Sequence, residues 1–132
     1  MKVLILGESG ERPWRVGKSA EKLRRWFGVS SYGELARLAT LMNVYTARGT
    51  EETSREHFAE LRAAIVESDV VFLVGRVAQE EVFVPCEELS RVYWVQNKYV
   101  GLPHPSGLNR QLNYFDETIL VDLIRSKLGV KE

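Results

Sequence analysis

The stretch Leu102–Arg110 carries the residues whose types and spacing are best suited to chemistry. It reads Leu-Pro-His-Pro-Ser-Gly-Leu-Asn-Arg, and a proline on each side of His104 biases the backbone toward extended conformations. Gly107 allows the close approach or the positive φ that a tight loop requires. Because an imidazole titrates near neutral pH, a rigid loop that carries one is a candidate reactive site. The alternative is a proline-rich turn in which the histidine caps a neighbouring group.

Apolar runs predict the strands that must position this loop. The first run is partly β-branched and continuous, as in a strand buried on both faces, and it ends at Gly7. Arg91–Val95 could pair with the last run as a hairpin around Gln96-Asn97, but its pattern is weaker. The four predicted strands are Val3–Leu6, Leu41–Tyr45, Val70–Val74 and Lys98–Leu102.

Helical spacing and capping residues predict helices between these strands. One helix should begin near Ser19 and stop at Gly28, and a short one should follow Gly75. Serine or threonine three residues before glutamate marks two further helix starts, Ser31 with Glu34 and Thr53 with Glu56. Apolar residues at helical spacing mark the buried faces of the last two long helices, at Phe58, Leu61 and Ile65 and at Phe115, Ile119, Leu120, Leu123, Ile124 and Leu128.

Alternating strands and helices predict an α/β layered fold with a mainly parallel sheet, formed by residues 1–132 as a single domain. In such sheets ligands bind outside the carboxyl ends of the strands. The loops that follow the four predicted strands all emerge at that edge. We therefore expect five side chains to converge on one crevice: Glu8, Ser9, Trp14, Asn43 and His104.

Composition excludes several classes of protein. The chain has 132 residues, with 18 basic and 18 acidic side chains, so its zero net charge argues against a non-specific binder of polyanions. The single cysteine, Cys86, excludes an intramolecular disulfide and an all-cysteine metal site. With only His57 and His104 besides it, we expect no metal site. The apolar run at the start is too short for a signal peptide and no stretch could span a bilayer, so we expect a soluble cytoplasmic protein.

Three local features suggest chemistry that their spacing or their neighbours do not support. Gly17-Lys18-Ser19 resembles the end of a phosphate-binding P-loop, but six residues instead of four separate it from Gly10. Ser9 is not in a nucleophile elbow, because Glu11 stands where the last glycine is needed. His57 lies beside charged residues in a predicted helix and is expected on its solvated face.

Four segments together resemble motifs of the uracil-DNA glycosylase superfamily, in the right order and over nearly the whole chain. Residues 104–110 resemble its second motif, which begins His-Pro-Ser or Asn-Pro-Ser and in the mismatch-specific branch continues Gly-Leu and ends in arginine. Residues 7–10 are similar to its first motif, and residues 16–20 to the helix opening of the iron–sulfur branch, although that branch's cluster cysteines are missing. Asn43-Val44 resembles the pair whose asparagine reads uracil.

The resemblance implies a three-layer α/β/α fold around a mainly parallel four-stranded sheet. It also implies a DNA N-glycosylase without cofactor or metal, which excises uracil or a related deaminated base by base flipping and water attack at C1′, in base excision repair. His104 would stabilise the departing base, while Glu8 and Ser9 would position the water. Asn43, Trp14, Gly7 and Ser106 would bind the base, with the indole stacked on it.

The same resemblance implies DNA as the partner of a protein that acts as a monomer. Leu108 would enter the vacated base stack, and the other predicted DNA contacts are Gly107, Asn109, Arg110 and Lys18. Basic residues around the first loop and its helix favour a phosphate footprint slightly over a mixed solvent-exposed helix face, which would also explain them: Arg12, Arg15, Lys18, Lys22, Arg24 and Arg25.

Two other hypotheses stay open at this point. Ser9 stands where several branches of the superfamily place Asp or Asn, and a serine is a poor base. A catalytically weak or inactive member that binds DNA, a base or a nucleotide is therefore one alternative. The other is an unrelated flavodoxin-like nucleotide-binding domain, in which the glycine-rich loop after the first strand would hold phosphate.

Overall fold

Strands and helices alternate along the chain, as the apolar pattern predicts. The computed structural model describes residues 1–9, 14–15, 17–45, 55–82, 93–105 and 117–129. Within these ranges the order is β1 Val3–Ser9, α1 Lys18–Trp26, α2 Tyr32–Leu38, β2 Thr40–Tyr45, α3 Arg55–Glu67, β3 Val70–Val74, α4 Arg76–Val82, β4 Trp94–Gln96, β5 Tyr99–Leu102 and α5 Glu117–Lys127.

The described strands form one sheet in the order β2-β1-β3-β5-β4. The pairs β1–β2, β1–β3 and β3–β5 are parallel, whereas β4 joins β5 antiparallel at one edge. A mainly parallel sheet is thus confirmed. It has five strands where four were predicted, because the hairpin does form. β4 spans three residues, too few for a clear alternating pattern, and the turn places Asn97 in the left-handed region with φ 55°.

Side chains alternate across β1 and bury one core on each face of the sheet. Val3 and Ile5 pack with residues of α1, α2 and α5, including Leu23, Leu35 and Leu120. Leu4 and Leu6 face the other side, where the buried residues of α3 and α4 are Leu61 and Ala78. Helices therefore cover both faces, and the three-layer α/β/α arrangement is confirmed.

The predicted helix boundaries agree closely with the structure where it describes them. Gly28 follows α1 with φ 73°, the conformation in which glycine ends a helix. Ser31 Oγ accepts a hydrogen bond from the backbone N–H of Glu34 at 3.1 Å and so caps α2. The Glu34 carboxylate accepts from the backbone and hydroxyl of Ser30, and these bonds lower its pKa. Thr53 and Phe115 lie outside the described residues.

The predicted buried face of α3 is wrong at its first position. Leu61 is buried, and Ala64 and Ile65 pack beside it, but Phe58 is 37% exposed. The buried face continues one helical turn before Leu61, at position 57, and His57 occupies it. None of the described helices is long and apolar enough to cross a membrane.

Candidate functional site

The candidate site lies at the edge of the sheet where the parallel strands end. β1 and β2 pair in a register that places Gly7 beside Asn43. β3 ends at Val74 and is followed by Gly75, and β5 ends two residues before His104. Because β1, β2, β3 and β5 run in the same direction, the residues at their carboxyl ends share one edge.

Gly7 is the point at which the side chains of this edge meet. A Cβ atom at position 7 would lie 2.5 Å from Asn43 Oδ1 and 2.9 Å from Trp14 Cζ2, closer than van der Waals contact allows. Asn43 is 5% exposed, so its carboxamide is held within the fold. The missing side chain of Gly7 therefore makes the room that brings the carboxamide and the indole together.

Trp14 reaches this point through an unusual backbone conformation. Its φ is 63°, which costs energy for a residue with a side chain. Arg24 of α1 donates hydrogen bonds to the carbonyls of Trp14, at 3.3 Å, and Arg15, at 3.2 Å. The indole lies against the imidazole of His104, with ring centroids 5.8 Å apart and planes tilted by 45°. Helix α1 thus holds the segment that presents the indole.

The indole N–H of Trp14 is buried and has no hydrogen-bond partner among the described residues. Trp26 differs, because its Nε1 donates to Glu117 Oε2 at 3.1 Å and its side chain is in the core. We expect Trp14→Phe to change the free energy of unfolding by about 1 kcal/mol or less, and Trp26→Phe to lower it by about 2–3 kcal/mol. Urea denaturation of both variants measures the difference. Equal losses would show that the Trp14 N–H is satisfied in solution.

His104 is positioned by the segment that follows β3. A Cβ on Gly75, whose φ is 87°, would lie 3.3 Å from His104 Cδ2, so glycine leaves the space that the imidazole needs. The backbone N–H of Gly75 donates to the carbonyl of Leu102 at 2.9 Å and ties this segment to the end of β5. Pro103 and Pro105 on either side of His104 are buried. The segment Pro103–Pro105, which carries the imidazole, is therefore held by the hydrogen bond at Leu102 and by the burial of both prolines.

Gln79 of α4 reinforces this arrangement and was not singled out from the sequence. Its side chain is 2% exposed, and its Nε2 donates to the carbonyl of Leu102 at 3.0 Å. Its Oε1 accepts from Trp94 Nε1 at 2.9 Å. A buried carboxamide with both ends bonded holds β4, β5 and α4 together just before His104. A glutamine one helical turn after the glycine that follows β3 was the available signal.

Burial lowers the pKa of His104 below its ordinary value of 6.5, and the nearby Glu8 carboxylate opposes this by raising it. The burial effect is the larger of the two. His104 is therefore neutral at pH 7, and its ring offers one N–H donor and one acceptor. Glu8 itself is exposed at the carboxyl end of β1.

Because folding lowers the pKa of His104, the unfolded chain binds more protons than the native protein below pH 6.5. Stability should therefore be fully present above pH 6.5 and decline as pH falls toward the lowered pKa. We expect the wild type to lose more stability than His104→Gln between pH 7.5 and pH 5. Chemical denaturation at both pH values measures this. Identical pH dependence in the two proteins would contradict a lowered pKa at His104.

The structure describes part of the remaining predicted site. Ser9 is the last residue of β1 and pairs in register with Tyr45. Lys18 is exposed as the first residue of α1. The predicted base contact Ser106 and the predicted DNA contacts lie outside the described residues: Gly107, Leu108, Asn109 and Arg110.

Three members of the predicted phosphate footprint have partners within the protein. Lys22 forms an ion pair with Glu117 at 3.6 Å, and Arg24 makes the carbonyl contacts described above. Arg15 lies over the ring of Tyr32, 5.9 Å from its centroid. Arg12 lies outside the described residues. The basic cluster is thus in part a structural feature of α1.

His57 is the clearest correction to the expected site. Rather than lying on a solvated face, it is half-buried, and its Nε2 is 2.6 Å from the backbone carbonyl oxygen of Asn43. It also occupies the first position of the buried face of α3. Sequence reasoning missed it because the apolar Phe58 is adjacent and a polar residue was assigned to solvent.

Two further features limit where a ligand would bind. No group of three His, Cys, Asp or Glu side chains that could hold a metal ion occurs among the described residues. A cleft of about 520 Å³ lies at the opposite edge of the sheet, beside the start of β1 and β2, and holds none of the predicted site residues. The carboxyl edge instead offers a carboxamide and an aromatic face that meet at Gly7, with a neutral imidazole beside the indole, which suits a planar heterocycle with hydrogen-bonding edges.

The chain was compared with known proteins. None of the curated proteins matches it. The model of the uracil DNA glycosylase superfamily matches residues 2–123, which is nearly the whole chain. This match confirms the resemblance to the superfamily, and membership of it contradicts the alternative of an unrelated flavodoxin-like domain. The fold and the extent of the match lead to one conclusion: the chain belongs to the uracil DNA glycosylase superfamily.

Proposed function

We propose that this protein is a DNA glycosylase that excises uracil or a related deaminated base. The observation that carries the proposal is the meeting of three side chains: Asn43 and Trp14 approach each other at Gly7, and His104 lies against the Trp14 indole. These groups come from three separate parts of the chain, and each supplies one of the interactions that an extruded base requires. Membership of the superfamily makes a glycosylase-type activity the expected chemistry.

Base recognition is assigned to Asn43 and Trp14. A carboxamide has one acceptor and two donors, so it can bond both O4 and N3–H of uracil, whereas cytosine presents the opposite pattern at these positions. Burial of Asn43 and its contact across Gly7 support a fixed orientation. Stacking of the base on the Trp14 indole adds about 1–3 kcal/mol. Gly7 and Ser106 complete the proposed base site.

Bond cleavage is assigned to His104. The C1′–N bond breaks with its electron pair on the base, so negative charge develops on the pyrimidine and positive charge on the sugar. The neutral imidazole donates a hydrogen bond to the pyrimidine O2, where this charge collects. Because burial lowers its pKa, His104 keeps a neutral ring at pH 7, and this ring still has one N–H to donate.

Water attack is assigned to the end of β1. Glu8 and Ser9 would orient the water whose oxygen forms the new bond to C1′, and Glu8 would also offset positive charge on the sugar. The influence of the Glu8 carboxylate on the His104 pKa supports its proximity to the site. Ser9, a weak base, favours a second candidate: a catalytically weak or inactive member that binds DNA, a base or a nucleotide in the same pocket.

DNA binding by a monomer inside the cell belongs to the same proposal. The base must leave the duplex to reach the site, and Leu108 would fill the gap that it leaves. Gly107, Asn109, Arg110 and Lys18 would hold the flanking backbone. The exposed position of Lys18 at the start of α1 supports such a contact, because backbone amides at a helix start also attract phosphate.

Incubation with single- and double-stranded oligonucleotides that contain one uracil, hypoxanthine or xanthine, followed by alkali, tests the proposal. Strand cleavage is expected for the wild type and should be lost in Asn43→Ala. Asn97→Gly is the matched control, since Asn97 lies in the β4–β5 turn at the far edge of the sheet. No cleavage of any substrate, combined with binding of free uracil, would favour the binding-only candidate. Absence of both would contradict the proposed function.

A further inference from the structure

His57 connects helix α3 to the backbone of the proposed base-reading residue. It lies in the first turn of α3 and is half-buried, and its Nε2 is 2.6 Å from the carbonyl oxygen of Asn43. A carbonyl oxygen can only accept a hydrogen bond, so Nε2 must carry the proton in this contact. The interaction therefore requires a proton on Nε2 and also fixes the position of the ring.

The contact acts at a place where the sheet itself gives limited support. β2 is an edge strand in the described sheet, with β1 as its neighbour on one side. Asn43 lies two residues before the end of this strand. A hydrogen bond from another element to its carbonyl restrains the peptide plane directly after its Cα atom. His57 thus contributes a restraint that an inner strand would obtain from a second neighbour.

The side chain of Asn43 is restrained from the opposite direction. Its Oδ1 approaches Gly7 so closely that no Cβ could be accommodated there. Discrimination by a carboxamide depends on which end is oxygen, because a half-turn of the amide exchanges donor and acceptor. The orientation can stay fixed only if the backbone that carries the side chain does not move. One restraint at Gly7 and one at His57 together hold both ends of the residue.

We propose that His57 is a positioning residue that sets base selectivity by holding the Asn43 peptide. This inference rests on the proposed function. His57 does not touch the base; it acts through Asn43. Its removal should therefore weaken discrimination between uracil and cytosine more than it slows the excision of uracil.

Two substitutions separate the hydrogen bond from the packing of the side chain. His57→Leu keeps a side chain of moderate size at this half-buried position but has no donor, whereas His57→Gln places an amide N–H near the position of Nε2. We expect His57→Leu to reduce the ratio of kcat/KM for uracil over cytosine oligonucleotides roughly five- to tenfold, and His57→Gln to stay within about twofold of the wild type. Arg62→Leu, an exposed change on the same helix, is the matched control and should leave the ratio unchanged.

Nuclear magnetic resonance supplies a readout that does not need turnover. Long-range ¹H–¹⁵N spectra of the wild type should show a proton on Nε2 of His57. The side-chain amide signals of Asn43 should shift or broaden in His57→Leu and recover in His57→Gln. A neutral ring with its proton on Nδ1, unchanged Asn43 signals in His57→Leu, or an unchanged selectivity ratio in an active enzyme would each overturn the inference. If the amide signals respond but no uracil is excised or bound, the proposed function fails while the positioning of Asn43 by His57 is supported.

Discussion

Replacing His104 with alanine is expected to lower the rate of uracil excision roughly 100- to 1,000-fold, the usual cost of losing one donor to a developing anion. The imidazole lies beside the Trp14 indole and is neutral at pH 7, so one of its ring nitrogens carries an N–H that can donate to the base. Single-turnover kinetics, with the enzyme in excess over a uracil oligonucleotide, measure the chemical step directly. Substrate affinity should change much less than this rate.

His104→Gln is the informative companion to this change, because its amide retains a donor of similar reach. We expect it to recover part of the activity that alanine loses. Both variants should melt cooperatively, so that the kinetic effect cannot be attributed to unfolding. Excision by His104→Ala within about threefold of the wild type would remove His104 from the catalytic machinery and leave Glu8 and Ser9 as the residues to test.

Gly7→Ala is expected to have the second large effect, at least about 100-fold on uracil excision. The added Cβ would lie 2.5 Å from Asn43 Oδ1 and 2.9 Å from Trp14 Cζ2, so the carboxamide and the indole must both move. Misplacement of substrate-positioning groups by about 1 Å costs this much in other enzymes. Overpacking should also lower the free energy of unfolding by about 1–3 kcal/mol. Excision assays and urea denaturation measure the two effects separately.

Gly33→Ala provides the matched glycine control. Gly33 lies within helix α2, and among the described residues a Cβ there would meet only Ser31 Oγ at 3.9 Å, an ordinary contact. Alanine favours the helix, so this variant should be as active as the wild type and more stable by about 0.5–1 kcal/mol. If Gly7→Ala were equally well tolerated, the close approach at Gly7 would not shape the site.

The fold was largely predictable because its signals are local. A run such as Val70–Val74 is apolar throughout and becomes a fully buried inner strand. The spacing of Ser31 and Glu34 marks the start of α2, although the glutamate turns to Ser30 instead of the capping serine. By contrast, the exposure of Phe58 depends on how α3 is rotated against the sheet. That rotation is set by tertiary packing, which hydrophobicity at single positions does not encode.

The meeting of Trp14, Asn43 and His104 could be predicted from topology, since the carboxyl ends of parallel strands share one edge. The finer geometry could not. The hydrogen bond from His57 to Asn43 and the network of Gln79 join residues whose distance depends on helix placement. The positive φ of Trp14 is likewise uncommon for a residue with a side chain, and no local pattern predicts it. The roles of Trp14, Asn43 and His104 in binding and catalysis stay predictions, which the experiments above test.

The proximity of Trp14 and His104 gives the protein an optical reporter of its own. An imidazolium quenches the fluorescence of a neighbouring indole far more strongly than a neutral imidazole does, and the two ring centroids are 5.8 Å apart. The N–H groups of Trp26 and Trp94 are instead bonded to Glu117 and Gln79. The decrease in Trp14 emission on acidification would therefore follow the ionisation of His104, without label, ligand or DNA. The same decrease should be absent in Trp14→Phe.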